Sequence, residues 1–419
     1  MRLRLFALPL LSTLLSCERV AYWSVSGSDG PDDGDDPSTS TTTGTGLGGA
    51  GGGVPGEPTT RRKVLDTMRT CGHALYVEVA DSAARLEDRT ATFRSSPSEA
   101  NRTAARDAWK ETVGLWQQAE VLRMGPASVA TNPGGQGVRD LIYSWPLVSR
   151  CLVEQTLVSE GFAASDFKTD ALINLRGLVA IEYNLFFEPA ENACGPASGI
   201  NTSGAWSSIA GAELDGRKRA YAAILAEDVH ARTRFLRDAW ADGGSYAELV
   251  AGIGGSRSPF TSEQKALNAL SDGLFYVERE VKDLKMGRPL GLYECTEASC
   301  PNTVESQYAR VARDHVKNNL LGFRRFFSGC EAAPDHGFAG LLRTVGAKDV
   351  ADDMEAALEG ALAAADAMPN GDFVVALSEE RASLEALHAA VKKLTDLLKT
   401  DFVSVLDLEL PNIVEGDND

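Results

Sequence analysis

The stretch "KVLDTMRTCGHALYVEVADSAARL", Lys63 to Leu86, carries Val64, Leu65, Met68, Leu75, Val79 and Leu86 chiefly at intervals of three, four and seven residues. At 3.6 residues per turn these positions share one face, so the spacing predicts an amphipathic helix. A second follows over Thr103 to Arg123, where Trp109, Val113, Trp116 and Ala119 line one side. "MGPASVATNPGGQG" then breaks the pattern, which resumes near Leu141 and runs to Phe187 with an interruption at "GFAASD". The Gly- and Pro-containing connection Glu188 to Gly204 divides the folded part into halves of about 61–190 and 205–415. Helical patterns continue near Trp206–Ala241, Glu263–Met286, Val304–Phe327, Gly337–Met368 and Asp372–Phe402. No strand-like alternation bounded by hairpin turns accompanies them. The chain is therefore read as all-α, two helical bundles packed together over 61–415.

The start of the chain has a different character. "MRLRLFALPLLSTLLSC", residues 1–17, combines two arginines, an apolar run and a small residue before Cys17, the pattern of a bacterial export signal. It is too short for a membrane span. Its end, Leu14-Leu15-Ser16-Cys17, resembles the lipobox of bacterial lipoproteins and makes Cys17 the expected lipid-modified residue, anchoring the mature chain to a membrane. Residues 18–60 contain "DGPDDGDD", "STSTTTGTG" and "GGAGGG", a composition that stays solvated and serves as a tether. Glu18 is not the aspartate associated with inner-membrane retention, so the expected location is the cell envelope at the outer membrane.

A net charge of −18 and a pI near 4.8 argue against nucleic acid as a partner, since phosphate binding needs clustered Lys and Arg. With Cys17 assigned to lipid, six of the seven cysteines remain, enough for three disulfides in an exported chain. Cys295 and Cys300 flank only "TEAS" and are expected to close a local loop; the other pairings stay open. There is no Cys-x-x-Cys, so a thiolate zinc site is not indicated.

One acid stands out by its surroundings. In "INLRGLVAIEYNLFF", Ile173 to Phe187, Glu182 is the sole carboxylate in an apolar and aromatic run. Buried there without a partner it would be costly, so it must be paired, protonated or reached by solvent.

Six segments in order, "ARDAWKETVGLWQQAEVLRMGP" (Ala105–Pro126), "SWPLVSR" (Ser144–Arg150), "RGLVAIEYNLF" (Arg176–Phe186), "LKMGRPLGL" (Leu284–Leu292), "VESQYA" (Val304–Ala309) and the tail from Leu398, together resemble the imelysin family. The resemblance implies two helical bundles in the bacterial envelope, often lipid-anchored, with links to iron uptake. It also implies a peptidase-type Gly-x-His-x-x-Glu motif. His and Glu three apart share a helix face and can reach a common ion. Here Gly177 and Glu182 fill the motif's glycine and glutamate, but Val179 stands at the histidine. "SWPL" continues with Val148 and Ser149 where the family usually has two acids. The implied metal centre therefore reads as eroded, with Glu182 left as a structural acid and no cofactor expected. Glu120, on the other well-matched segment, is the acid expected to converge with Glu182 if any metal, iron, zinc or calcium, is still held.

Competing chemistries find little support. The five histidines, His73, His230, His315, His336 and His388, never form the His-Glu-x-x-His of a zincin. Glu227-His230 and Glu385-His388 have the spacing of a carboxylate-bridged di-iron centre. His388, however, sits at the rim of the apolar stripe Leu384, Leu387, Val391 and Leu394, as an ordinary amphipathic helix would place it. No nucleophile elbow is present. Trp109, Trp116, Trp145, Trp206 and Trp240 are expected to fill the core. The reading is a ligand- or partner-binding accessory protein, with envelope proteins of iron uptake as candidate partners. The alternative is a metal-dependent peptidase or iron-binding protein using Glu182 and Glu120.

Overall fold

The structure is a computed structural model that describes residues 58–411. The signal peptide, Cys17 and nearly all of the tether lie outside the described residues. The principal helices are α1 (Arg61–Ser95), α2 (Glu99–Ala119), α3 (Arg150–Ser159), α4 (Gly177–Phe186), α5 (Gly211–Trp240), α6 (Glu263–Leu274), α7 (Ala312–Phe327), α8 (Lys348–Ala367) and α9 (Arg381–Leu397). Local chemistry starts several of them. Thr60, Ser98, Ser149 and Ser262 each accept a backbone N–H from the first turn, satisfying a donor that has no intrahelical partner.

The predicted stripe of α1 is buried, with Val64, Leu65, Leu75, Val79 and Leu86 at most 1% exposed. In one bundle α1 packs on α2 and α5, and α4 packs on α5 and α2. In the other, α8 packs on α9 and α7, and both α7 and α9 pack on the segment Val277–Gly287. Helix α7 also lies against α2, which joins the bundles. The crossing is close enough to require glycine. A Cβ at Gly322 of α7 would lie 2.3 Å from the Gln118 carbonyl oxygen, and one at Gly273 of α6 2.3 Å from that of Val121.

Three differences from the sequence reading have physical causes. The helix expected from Val304 begins only at Ala312, because Ser306 and Arg310 adopt positive φ (53° and 59°) and break the winding. The helix expected to Met286 changes to π winding over Val277–Gly287, which a 3.6-residue periodicity does not register. Gly329–Cys330 pairs antiparallel with Ala333–Pro334, a ladder too short to produce visible alternation. Four of the named tryptophans are in the core, while Trp145 is half-buried.

All six expected cysteines pair. Cys295–Cys300 forms the local loop, Cys151–Cys194 ties α3 to the connection before α5, and Cys71–Cys330 ties α1 to the short hairpin after α7.

Candidate functional site

Helix α4 is seated by its first residue. Gly177 has φ +75°, and a Cβ there would lie 2.5 Å from the Ile142 carbonyl oxygen, so the motif glycine serves close backbone approach. Trp109 Nε1 donates to the Leu178 carbonyl at 2.8 Å and fixes the same end. One turn apart on one face, Val179 and Glu182 then line a cavity of about 380 Å³. Its other walls include Trp145, Pro146 and Val148 before α3, Arg150 and Tyr183, and, from the far side, Arg288, Val304, Ser306 and Tyr308.

Glu182 is 3% exposed. Its Oε1 accepts the backbone N–H groups of Tyr308 (3.0 Å) and Ala309 (2.9 Å), donors made available because this segment is not helical. Burial pushes the carboxyl up to about 7; the two amides and the Ser306 hydroxyl oppose this, while Glu305 adds to it.

This gives a sign for the pH dependence. The folded value exceeds the ordinary 4.5 of the unfolded chain, so the folded state holds the proton longer, and stability falls as pH rises from 4.5 through 7. The loss is about 3 kcal/mol. A Glu182→Gln variant is expected to match the native protein in urea unfolding near pH 4 and to exceed it near pH 8. Equal midpoints at the higher pH would contradict the assignment.

Glu120 lies outside this cavity. It is 1% exposed, with Oε1 accepting from Trp116 Nε1 at 2.5 Å and Oε2 from Arg139 at 2.8 Å. Both oxygens are occupied by protein donors. The structure therefore brings Val148, Val179 and Glu182 together and leaves Glu120 beyond the wall. The Glu-x-x-His pairs do not converge either: they sit on α5 and α9 in different bundles, Glu227 pairs with Lys168, and His230 Nδ1 lies 2.5 Å from Glu87.

A buried polar network behind the cleft was not singled out in the sequence. Lys285 Nζ meets Gln117 Oε1 (2.7 Å), Asn319 Oδ1 (2.8 Å) and Glu305 Oε1 (3.1 Å), giving all three ammonium protons an acceptor. Glu305 also accepts from the Tyr143 hydroxyl and lies 3.1 Å from His315 Nδ1. Burial pushes the Glu305 carboxyl up, but Lys285, His315 and Tyr143 outweigh it and bring it down to about 2. The signal was available in part, since Lys285 and Glu305 fall in "LKMGRPLGL" and "VESQYA".

A second brace holds the cleft's outer wall. Glu154 accepts from Arg150 Nε (2.7 Å), Tyr183 OH (2.9 Å) and the Ala193 N–H (2.7 Å). The Cys151–Cys194 bridge lies beside it.

The donor set of the cleft does not fit a metal. Among the described residues Glu182 is the one carboxylate in its wall, and one of its oxygens is occupied by backbone amides. Val148 and Val179 have no lone pair to give. Among the described residues no group of three or more His, Cys, Asp or Glu is placed to hold an ion.

Comparison with known proteins gives a consistent assignment. The imelysin (peptidase M75) family model matches residues 72–400. Iron-regulated protein A of Synechococcus elongatus is 26% identical over 257 residues, 61% of this chain and 60% of that protein. The chain thus spans about 60% of the length of the curated relative it matches. Among solved structures, an imelysin-like protein from Psychrobacter arcticum 273-4 has a TM-score of 0.63 at 17% identity, covering 84% of this chain and 96% of the other. A putative iron-regulated protein A precursor from Parabacteroides distasonis has a TM-score of 0.64 at 19% identity with the same coverages. At these identities the structural likeness establishes the fold, and with the family match over residues 72–400 the chain belongs to the imelysin family.

Proposed function

We propose that this protein is an accessory component of the bacterial cell envelope, lipid-anchored at Cys17 in the outer membrane. Its role is to bind a ligand or partner at the Glu182 cleft in support of iron-related physiology, without peptidase chemistry. The iron connection is supported by the names of the relatives, one of them an iron-regulated protein A. The anchor rests on the residues around Cys17; among the described residues no helix is long and apolar enough to cross a membrane.

The observation that carries the binding reading is that Val148, Val179 and Glu182 line one cavity. Apolar side chains stand at the positions where the family pattern supplies polar ones, so the space is kept but its lining suits organic matter.

Metal content tests this reading. After incubation with iron, zinc or calcium and extensive dialysis, the native protein is expected to retain no stoichiometric ion by plasma mass spectrometry. A Val148→Asp/Val179→His variant, which returns an acid and an imidazole to the same wall, is expected to gain zinc or iron retention. One equivalent of metal on the native protein, lost in Glu182→Ala, would overturn the reading in favour of a metal-dependent function.

A further inference from the structure

We infer that the Glu182 cleft takes a small organic ammonium ligand, its charged head paired with Glu182 and its apolar body lying along Val148, Val179 and Trp145. The inference rests on the cleft being a metal-free binding site and names what that site selects.

The charge balance of the wall points this way. Arg150 and Arg288 face the cavity, but each cation already has an acid: Arg150 Nε meets Glu154 at 2.7 Å, and Arg288 is paired with Glu294. Arg150 also donates to the Glu191 carbonyl at 2.9 Å. Glu182 is the reverse case. It is buried, held by two amides on one oxygen and by the Ser306 hydroxyl, and among the described residues has no basic side chain within ion-pair distance. A buried carboxylate without a cation is a poor arrangement by itself, and an arriving ammonium group would complete it.

An anionic ligand fits worse, because the charges of Arg150 and Arg288 are already balanced by Glu154 and Glu294 and the anion would also face Glu182. A metal ion fits worse because a single half-occupied carboxylate cannot supply its coordination. The remaining lining suits the rest of such a molecule. Val148 and Val179 give an apolar surface, and Trp145, Tyr183 and Tyr308 add aromatic carbon to the same lining. The volume, about 380 Å³, lies at the small end of ordinary ligand cavities and suits a monoamine with a ring or short chain.

The test is isothermal titration of the folded protein with butylammonium, phenethylammonium and tryptammonium, set against phenethyl alcohol and 3-phenylpropionate. At least one ammonium compound is expected to bind one-to-one at millimolar concentration or below, while its neutral and acidic counterparts bind about tenfold more weakly or not at all. Glu182→Gln, which keeps an acceptor for both amides, is expected to lower that affinity about tenfold. Val179→Phe fills the cavity while leaving the Glu182 carboxylate and its two backbone donors in place and is expected to abolish binding, with melting curves confirming that both variants fold.

The inference is overturned if no ammonium compound binds at about 10 mM, if the alcohol or the acid binds as well, or if Glu182→Gln binds unchanged. Metal content measured on the same preparations separates the two levels. A bound metal defeats the binding-site reading and this inference with it, whereas a metal-free protein indifferent to amines defeats this inference alone.

Discussion

Replacing Cys71 and Cys330 together by alanine is expected to remove about 5 kcal/mol of stability, measured as a fall in the urea midpoint with the other two bridges intact. The bridge spans 259 residues of sequence, so without it the unfolded chain regains the freedom of a very long loop. The folded state would lose little packing in exchange, because the Cys71 side chain sits in a buried stripe that alanine also suits. Cys295 and Cys300 supply the internal control. They close a loop of sequence separation 5, for which the same account gives about 2 kcal/mol. Equal losses for the two pairs would mean that local strain, not chain entropy, governs both.

The second large effect is expected at Lys285. Lys285→Met should cost about 3–5 kcal/mol, because Glu305 would be left as a buried anion with its main countercharge removed. Both side chains are 1% exposed, so water cannot make up the loss. Adding Glu305→Gln to that variant is expected to return much of the stability, since a neutral amide can still accept from Tyr143. A double-mutant cycle by chemical denaturation reads the difference directly. Additive losses would show that the two charges do not act as a pair.

How much of this was legible depends on the kind of signal involved. The stripe Val64 to Leu86 fixed α1 because burial repeats with the helix period, and the same logic found most of the other helices. Cys295 and Cys300 were readable as partners because only the four residues TEAS separate them. The Val304–Phe327 run misled at its start, since nothing in "VESQYA" announces that Ser306 and Arg310 take positive φ. That departure is also what frees the Tyr308 and Ala309 amides for Glu182, so the site itself depends on the unreadable turn.

Lys285 and Glu305 were hidden for a different reason. Charged residues in a helical pattern normally mark the solvent face, and only tertiary packing puts this ammonium among Gln117, Asn319 and Glu305. Glu120 was misplaced relative to Glu182 because two acids on well-matched segments need not share a wall. Its partner Arg139 lies 19 residues further on, in a segment whose approach no periodicity describes.

The glycine contacts at the end of α2 bear on how the protein can move. Gly322 and Gly273 seat backbone directly against the carbonyls of Gln118 and Val121, so no side chain stands between to change rotamer and let the elements slip. Gly322 sets the spacing of α7 on α2, and Gly273 sets that of α6 against the chain just past α2. The cleft residues Val304, Ser306 and Tyr308 lead directly into α7, so the seat of that helix on α2 also sets where the far wall of the Glu182 cleft begins.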